Sequence, residues 1–549
     1  MRESAGYRAA LAAITLLVVT VAGCWAVLTP AFRAPDEPQH VNSVLRLAYG
    51  GDWPAPGEAL MGPAMILARQ EAALQSDIPG RHWIRIGLVP YTEVDPLPDD
   101  QRLRVTAQNA LPWPGMSATA VDTVDQMTQH PPLYYAAAAT WLHATGTADA
   151  RWDQLLLSLR LFDLLLLAPL PLLAAATVRT MLGERPGARP AALVAAAGVL
   201  FVPMSAHILS AVTNDALVTL TGAVLTWLVA RVLTGDLRWP TAAGLGVALG
   251  IGLLTKVMAA FAVPMVVLAY VLAGVAARPV LAELRRTWWP RAGRVLVVGV
   301  VAFAAGGWWW LRNLLVHGAV QPVGIPERWE PVPNEGIGHF TTTVVTAFTR
   351  SFFGDFGWLE LRVPPAAFWG GAAIVAVLSV AALVRRDSRV HVTVLLLLPV
   401  ALWASVVLNA WNHYVQTGWI TAVQGRYLFA GLAALAVVTA LGARPPARAV
   451  PWIVAGGGVV AAASLAFAFH GMYWGPRDSA ADAAARLAGW SPLSPGQLVV
   501  AGVLALMAGG LAVGACVRFA VVSTSTRVVD TAAATASTAA TTDGTGASV

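Results

Sequence analysis

The sequence predicts an all-α polytopic membrane protein. Three observations carry that expectation: apolar runs of about 20 residues recur along the chain, charge is scarce, and the charge present falls mostly in the gaps between runs. Hydrophobic residues make up 57% of the 549 and charged residues 12%, and the mean hydropathy is +0.63, a balance foreign to soluble domains. The formal charge of +6 would suit a nucleic-acid binder. The basic residues are scattered through short connections rather than gathered in one patch, so no nucleic-acid partner is expected and the charge reads as topology.

Runs long enough to cross the hydrocarbon core fall near 9–29, 158–180, 190–209, 213–233, 240–255, 257–277, 295–315, 366–384, 390–410, 422–442, 450–470 and 497–519, which makes about twelve helices. The first ends Val21-Ala22-Gly23-Cys24 behind Arg2 and Arg8, a pattern also found in lipoprotein signals. Trp25-Ala26-Val27-Leu28 prolong the run instead of starting a polar tether, which favours an uncleaved first helix. Cys24 and Cys516 sit in apolar runs at opposite ends of the chain, leaving no residues for a disulfide framework or a zinc site. Gly246, Gly250 and Gly252 lie in an apolar helix without the strand and turn of a nucleotide fingerprint.

The apolar stretch 132–145 is shorter than a span and is bounded by Pro131-Pro132 and Gly146. Arginine placement decides its topology. If it does not cross, the connections carrying Arg185, Arg189, Arg238, Arg386, Arg389 and Arg448 all face the cytoplasm, together with both termini. It is therefore expected to be a helix at the outer surface. The resulting organisation is a first transmembrane helix at 1–29, an exoplasmic loop with juxtamembrane helices at 30–157, transmembrane helices at 158–315, an exoplasmic loop at 316–365, further transmembrane helices at 366–521, and a disordered Ala/Thr/Ser-rich tail at 522–549. The expected location is the plasma membrane, multi-pass, with membrane lipids as surroundings.

The first outer loop opens with Pro35-Asp36-Glu37-Pro38-Gln39-His40 at the membrane edge. Asp36 suits a helix N-cap and Glu37-Pro38 a first turn. Carboxylates in a low dielectric also serve as general bases or metal ligands, so Asp36 and Glu37 are candidate catalytic groups, with His40 in support. Lysine occurs once among 36 basic residues, at Lys256, beside an apolar stretch where an ammonium costs about 2.5 to 3.5 kcal/mol. It either snorkels at a helix end or faces an anionic partner. Asn214-Asp215 forms another outer turn, read as a hairpin cap or as a second carboxylate on the face of Asp36 that could complete a site for a divalent metal ion or an acceptor. Arg312, after Trp308-Trp309-Trp310, and Arg426, in Gln424-Gly425-Arg426-Tyr427, are candidate phosphate ligands, because a guanidinium makes bidentate contacts to phosphate oxygens. Ser351-Phe352-Phe353-Gly354-Asp355-Phe356-Gly357-Trp358 reads as an aromatic cover over a substrate or as an interfacial anchor.

These residues resemble the GT-C superfamily of polytopic glycosyltransferases, which includes protein mannosyltransferases and aminoarabinose transferases, and most closely a bacterial branch of predicted membrane proteins. The resemblance rests on the motif at 35–40, His130-Pro131-Pro132-Leu133-Tyr134-Tyr135, Asn214-Asp215, Thr255-Lys256, Trp310-Leu311-Arg312-Asn313, the 353–358 segment and Gln424-Gly425-Arg426-Tyr427-Leu428. It covers nearly the whole chain up to the tail and implies a GT-C-like bundle. It also implies transfer of a sugar from a polyprenyl-phosphate donor at the exoplasmic face to an envelope glycan or lipid acceptor. By resemblance Asp36 is the base or metal partner, with Glu37, Asp215 and His40 in support; charge and position, more than motif identity, make Lys256, Arg312 and Arg426 the candidates for the donor phosphate, and His130, Asp355 and Tyr427 are expected to border the substrate. The competing classes are a lipid or glycolipid transporter or flippase, which calls for ionisable residues near the midplane of broken helices, and a non-catalytic scaffold on the same frame.

Overall fold

The computed structural model describes residues 2–73, 91–116, 124–274, 280–324 and 330–543. Prolines set many of the helix starts, at the first turn where a missing N–H costs nothing: Pro38 in Glu37–Ala48, Pro240 in Trp239–Leu253, Pro264 in Val263–Val271 and Pro451 in Val450–Tyr473. Nine helices among the described residues are long and apolar enough to cross a membrane: Ala5–Leu28, Trp152–Leu182, Asp215–Leu233, Trp288–His317, Pro365–Val384, Arg389–Thr417, Gly425–Ala443, Ala447–Tyr473 and Pro495–Thr524. The expected segments at 190–209, 240–255 and 257–277 form shorter apolar helices, Ala188–Phe201, Trp239–Leu253 and Val257–Val271. The shortening has local causes. Pro203 starts a separate helix, Pro203–Ile208, and Lys256 is extended (φ −159°, ψ 142°), breaking the chain between the second and third of these helices.

Small residues let the helices approach closely. A Cβ at Gly250 would lie 2.4 Å from the Ala305 Cβ, and one at Gly306 would lie 2.1 Å from the Gly250 carbonyl oxygen. The glycines of Trp239–Leu253 are thus a packing seam against Trp288–His317, which contains a π-helical turn, Phe303–Gly307. The last helix, Pro495–Asp543, carries helical backbone into the Ala/Thr/Ser-rich segment expected to be disordered, consistent with the high helix propensity of Ala. Its side chains from 525 onward, and residues 544–549, lie outside the described residues.

The segment between the first two spans builds a hydrophobic core of its own, with Phe32, Val41, Leu45, Met65, Tyr134, Tyr135, Leu142 and Trp152 buried together. The 132–145 stretch is the helix Leu133–Ala144, whose twelve residues rise about 18 Å, short of the ~30 Å hydrocarbon core. It lies against Glu37–Ala48, where His40 stacks on Tyr135 with ring centroids 5.8 Å apart. The opposite end of the bundle is held by arginine pairs at helix ends: Arg444 with Asp387 at 2.6 Å, Arg231 with Asp236 at 2.6 Å, and Arg179 with Glu184.

Candidate functional site

Four segments remote in sequence bring charged side chains to one point at the end of the bundle, beside the helices Glu37–Ala48 and Leu133–Ala144. Asp36 follows the first span, Asp215 opens Asp215–Leu233, Lys256 follows Trp239–Leu253, and Arg426 lies in the 3-10 turn Gly425–Gly431. Arg426 Nη2 pairs with Asp36 Oδ2 at 2.5 Å, Arg426 Nη1 lies 3.8 Å from Asp215 Oδ2, and Lys256 Nζ is 2.6 Å from Asp215 Oδ1. Charge therefore alternates along Asp36, Arg426, Asp215 and Lys256. The Lys256, Asp215 and Arg426 side chains are less than 10% exposed, whereas that of Asp36 is 24% exposed.

The local geometry shows that these residues are not capping groups. Asp36 occupies the N-cap position of Glu37–Ala48 but has left-handed backbone (φ 63°) and makes no side-chain capping bond, an arrangement that costs a non-glycine residue free energy. Its carboxylate turns instead to Arg426 and to Gln126, whose Nε2 donates to Oδ1 at 3.1 Å. Asn214 likewise makes no capping bond. Lys256 points inward to Asp215 rather than outward to water. Gly425 allows the Arg426 turn to sit against the 351–352 backbone, since a Cβ there would meet the Phe352 nitrogen at 2.3 Å, and its N–H donates to Ser351 Oγ at 2.8 Å. Tyr427 presents its ring to both cations, with Lys256 Nζ and Arg426 Cζ each 5.5 Å from the centroid.

A neutral polar wall adjoins the charges. His40 Nδ1 is 3.0 Å from Tyr135 Oη, and Asn214 Nδ2 donates to the same hydroxyl at 3.4 Å. Burial, followed by the charges of Lys256 and Arg426, holds the His40 imidazole well below the usual histidine range. Burial and Lys256 do the same to His130. Both rings are therefore neutral near pH 7. Several buried atoms here have no hydrogen-bond partner among the described residues: Asp215 Oδ2, Asn214 Oδ1, Arg426 Nε and His130 Nδ1. Native structures leave few such atoms without water or a ligand.

Three expected site residues lie elsewhere. Glu37 turns away from Asp36 and is wholly buried against Arg160, which reaches its two oxygens at 2.8 and 2.7 Å, while Val212 N donates to Oε1 at 3.1 Å. Both Glu37 oxygens are thus bonded within the protein. Asp355 is buried and pairs with Arg350 at 2.8 Å. Its neighbour Phe356 packs on Trp25, so the 351–358 segment is a wedge in the core and not a cover. Arg312 is exposed, stacks on Trp309 at 5.2 Å and makes no ion pair among the described residues. Gln126 and Arg160 were not anticipated. Nothing in the sequence around Gln126 marks it, but Arg160 is a charge inside an apolar run, the same signal that singled out Lys256.

No group of three or more His, Cys, Asp or Glu suited to a metal ion occurs among the described residues. Asp36 and Asp215 each face a protein cation where a shared metal would sit. Chemically, the cluster places a partly open carboxylate beside two cations, which suits removal of a proton from a hydroxyl next to a bound anion.

Fold and site together define a polytopic helical membrane protein with a buried charge cluster at one end of its bundle. The chain belongs to the DUF2142 family of predicted membrane proteins, whose family model matches residues 18–436. No curated protein matches its sequence. Among solved structures it is similar to ArnT from Cupriavidus metallidurans in the apo state, at 17% identity over 72% of this chain and 66% of that one, with a TM-score of 0.41. The same protein bound to undecaprenyl phosphate matches at 15% identity over 93% and 75%, with a TM-score of 0.46. The Archaeoglobus fulgidus oligosaccharyltransferase tethered to an acceptor peptide matches at 15% over 71% and 47%, with a TM-score of 0.33. The chain thus spans about two thirds to three quarters of ArnT and about half of the oligosaccharyltransferase.

Proposed function

We propose that this protein is a membrane glycosyltransferase that moves a sugar from a polyprenyl-phosphate donor to an envelope glycan or lipid acceptor at the exoplasmic face of the plasma membrane. The observation that carries the reading is the convergence of Asp36, Arg426, Asp215 and Lys256, drawn from four segments, into one buried and incompletely bonded cluster. In this scheme Asp36 takes the proton of the acceptor hydroxyl as its oxygen bonds to the anomeric carbon, and the bond from that carbon to the donor phosphate oxygen breaks. The leaving polyprenyl phosphate gains negative charge, which Lys256 and Arg426 stabilise from fixed positions. Asp215 holds both cations. Lys256 and Arg426 are two cations that the chain itself supplies for this role, and a divalent ion would add to them.

The test uses purified full-length protein in lipid with a panel of labelled polyprenyl-phosphate sugars. Asp36→Asn is expected to lower kcat by about 10²- to 10⁴-fold, the range of general-base catalysis. Lys256→Ala is expected to lower it by about 10²- to 10³-fold. Unchanged turnover in both variants would sink the mechanism, and no turnover by the unaltered protein with any donor would favour a transporter or a scaffold.

A further inference from the structure

The Asp36 carboxylate is held from two sides by unlike groups. Oδ2 is ion-paired with Arg426, and Oδ1 accepts a hydrogen bond from the neutral amide of Gln126. The four charges of the cluster sum to zero, so an arriving phosphate finds a cation only by drawing one away from a carboxylate. Lys256 is held tightly by Asp215 at 2.6 Å. Arg426 donates to Asp36 Oδ2 at 2.5 Å and to the Pro35 carbonyl at 3.2 Å, lies 3.8 Å from Asp215 Oδ2, and keeps an Nε with no hydrogen-bond partner among the described residues. Arg426 is the cation bonded to Asp36, so a phosphate that draws on it takes a partner from that carboxylate. Gln126 is then the polar side chain that still holds Asp36 among the described residues.

Resting on the transferase reading above, we propose that Gln126 is the positioning residue for the Asp36 base, keeping the carboxylate oriented while Arg426 serves the donor phosphate. An amide suits the task. It orients a carboxylate without neutralising its charge, and it does not compete with a guanidinium for phosphate. The chain is also built to keep Gln126 still. The preceding Asp125 is fully buried and receives Asn42 Nδ2 at 2.7 Å, Ser43 Oγ at 2.8 Å and Met127 N at 3.0 Å, which pins the turn Gln126–Gln129 to Glu37–Ala48. From the other side Gly324 presses on the Gln126 backbone, where a Cβ would lie 2.9 Å from the Gln126 carbonyl oxygen. Asp36 needs such support because its left-handed backbone is unfavourable for an aspartate.

The experiment compares Gln126→Ala and the isosteric Gln126→Glu with the unaltered protein, on the polyprenyl-phosphate donor that it turns over best. Gln126→Ala is expected to lower kcat by about 10- to 100-fold, the scale of a misplaced catalytic group, with donor KM changed by less than about twofold. Gln126→Glu, which keeps the shape but loses the donor, is expected to do no better. In the Asp36→Asn background, Gln126→Ala is expected to cause no further loss, because the two residues act as one unit. Wild-type kcat in Gln126→Glu would overturn the proposal. So would an equal proportional loss from Gln126→Ala in both backgrounds, which would make the residue merely structural. Polyprenyl phosphate binding retained by Gln126→Ala separates lost orientation from lost folding. Activity in the unaltered protein with indifferent Gln126 variants refutes this inference alone, whereas an inactive unaltered protein refutes the transferase reading and this inference with it.

Discussion

Replacing Glu37 by Gln and, separately, Asp36 by Asn distinguishes anchor from base at adjacent positions. Glu37 is 0% exposed, and its carboxylate is paired with an Arg160 side chain that is 4% exposed. Arg160 also donates to the carbonyls of Ala26, Thr29 and Pro30 at 2.8, 2.7 and 3.2 Å, closing the C-terminal end of the first span. Glu37→Gln keeps the volume but leaves a buried guanidinium without its countercharge. Breaking one partner of a buried pair costs about 3 to 5 kcal/mol. The three carbonyls soften the loss toward the lower figure, and about 3 kcal/mol is roughly a hundredfold in the folded-to-unfolded ratio. Thermal unfolding in detergent at one fixed scan rate should therefore show Glu37→Gln clearly less stable than the unaltered protein. Asp36→Asn should unfold near the unaltered protein and yet be inactive, because Asp36 is partly exposed and its loss leaves Arg426 beside Asp215. A stable Glu37→Gln together with a collapsed Asp36→Asn would refute the division of roles.

Asp36→Asn should also bind polyprenyl phosphate more tightly than the unaltered protein, by up to about tenfold, because Arg426 no longer has to leave a carboxylate. Weaker binding, measured by titration in micelles, would show that Arg426 does not exchange. Lys256→Met should lose donor affinity and turnover at normal expression, since Arg426 remains to face Asp215; a variant that fails to fold would mark Lys256 as structural. Chelation with EDTA should leave turnover unchanged, and loss restored by a divalent ion would return a metal to the site. His40 and His130 are buried neutral, with folded-state values pushed below the ordinary 6.5. Their contribution to stability is full above pH 6.5 and is lost as pH falls below it, because unfolding then takes up protons. The Glu360 carboxyl, pushed up by burial to about 7, acts in the opposite sense, its stabilisation fading as pH rises from 4.5 toward 7. The histidine term is therefore read as the difference between the unaltered protein and a His40→Asn, His130→Asn double variant, which should lose less stability between pH 7 and 5.

Much of this molecule was legible because the bilayer imposes simple rules. Apolar length located all twelve hydrophobic segments, three of them shorter than a full span, and the stretch 132–145 is a helix too short to cross. Lys256, Arg426 and Asp215 stood out because ionised groups beside apolar runs require partners, and those partners turned out to be one another. The ion-pair partners of Glu37 and Asp355 could not be read from the sequence, because a carboxylate in a motif looks the same whether its partner is substrate or protein. The partner of Glu37 is 123 residues away at Arg160, and spacing alone carries no sign of such a contact. Gln126 was invisible for a different reason. A neutral amide in a loop has no cost that demands explanation until the fold places it on Asp36.

Two buried ion networks near the same end of the bundle differ in completeness, and that difference separates structure from function. Arg160 directs its bonds to Glu37 and to three carbonyls, and none of its nitrogens is without a hydrogen-bond partner. Such a network holds a helix end in place and has nothing to offer a ligand. The Asp36, Arg426, Asp215 and Lys256 cluster also takes three charges out of water and half-buries the fourth, yet it leaves Asp215 Oδ2, Arg426 Nε and the neighbouring Asn214 Oδ1 without hydrogen bonds among the described residues. Buried charges are poor sources of stability even when fully bonded, and incompletely bonded ones are worse. An arrangement that costs stability and retains open bonding capacity is suited to accept a group from outside. On the transferase proposal, the exposed edge of Asp36 and the unbonded Arg426 Nε are where the donor headgroup would enter.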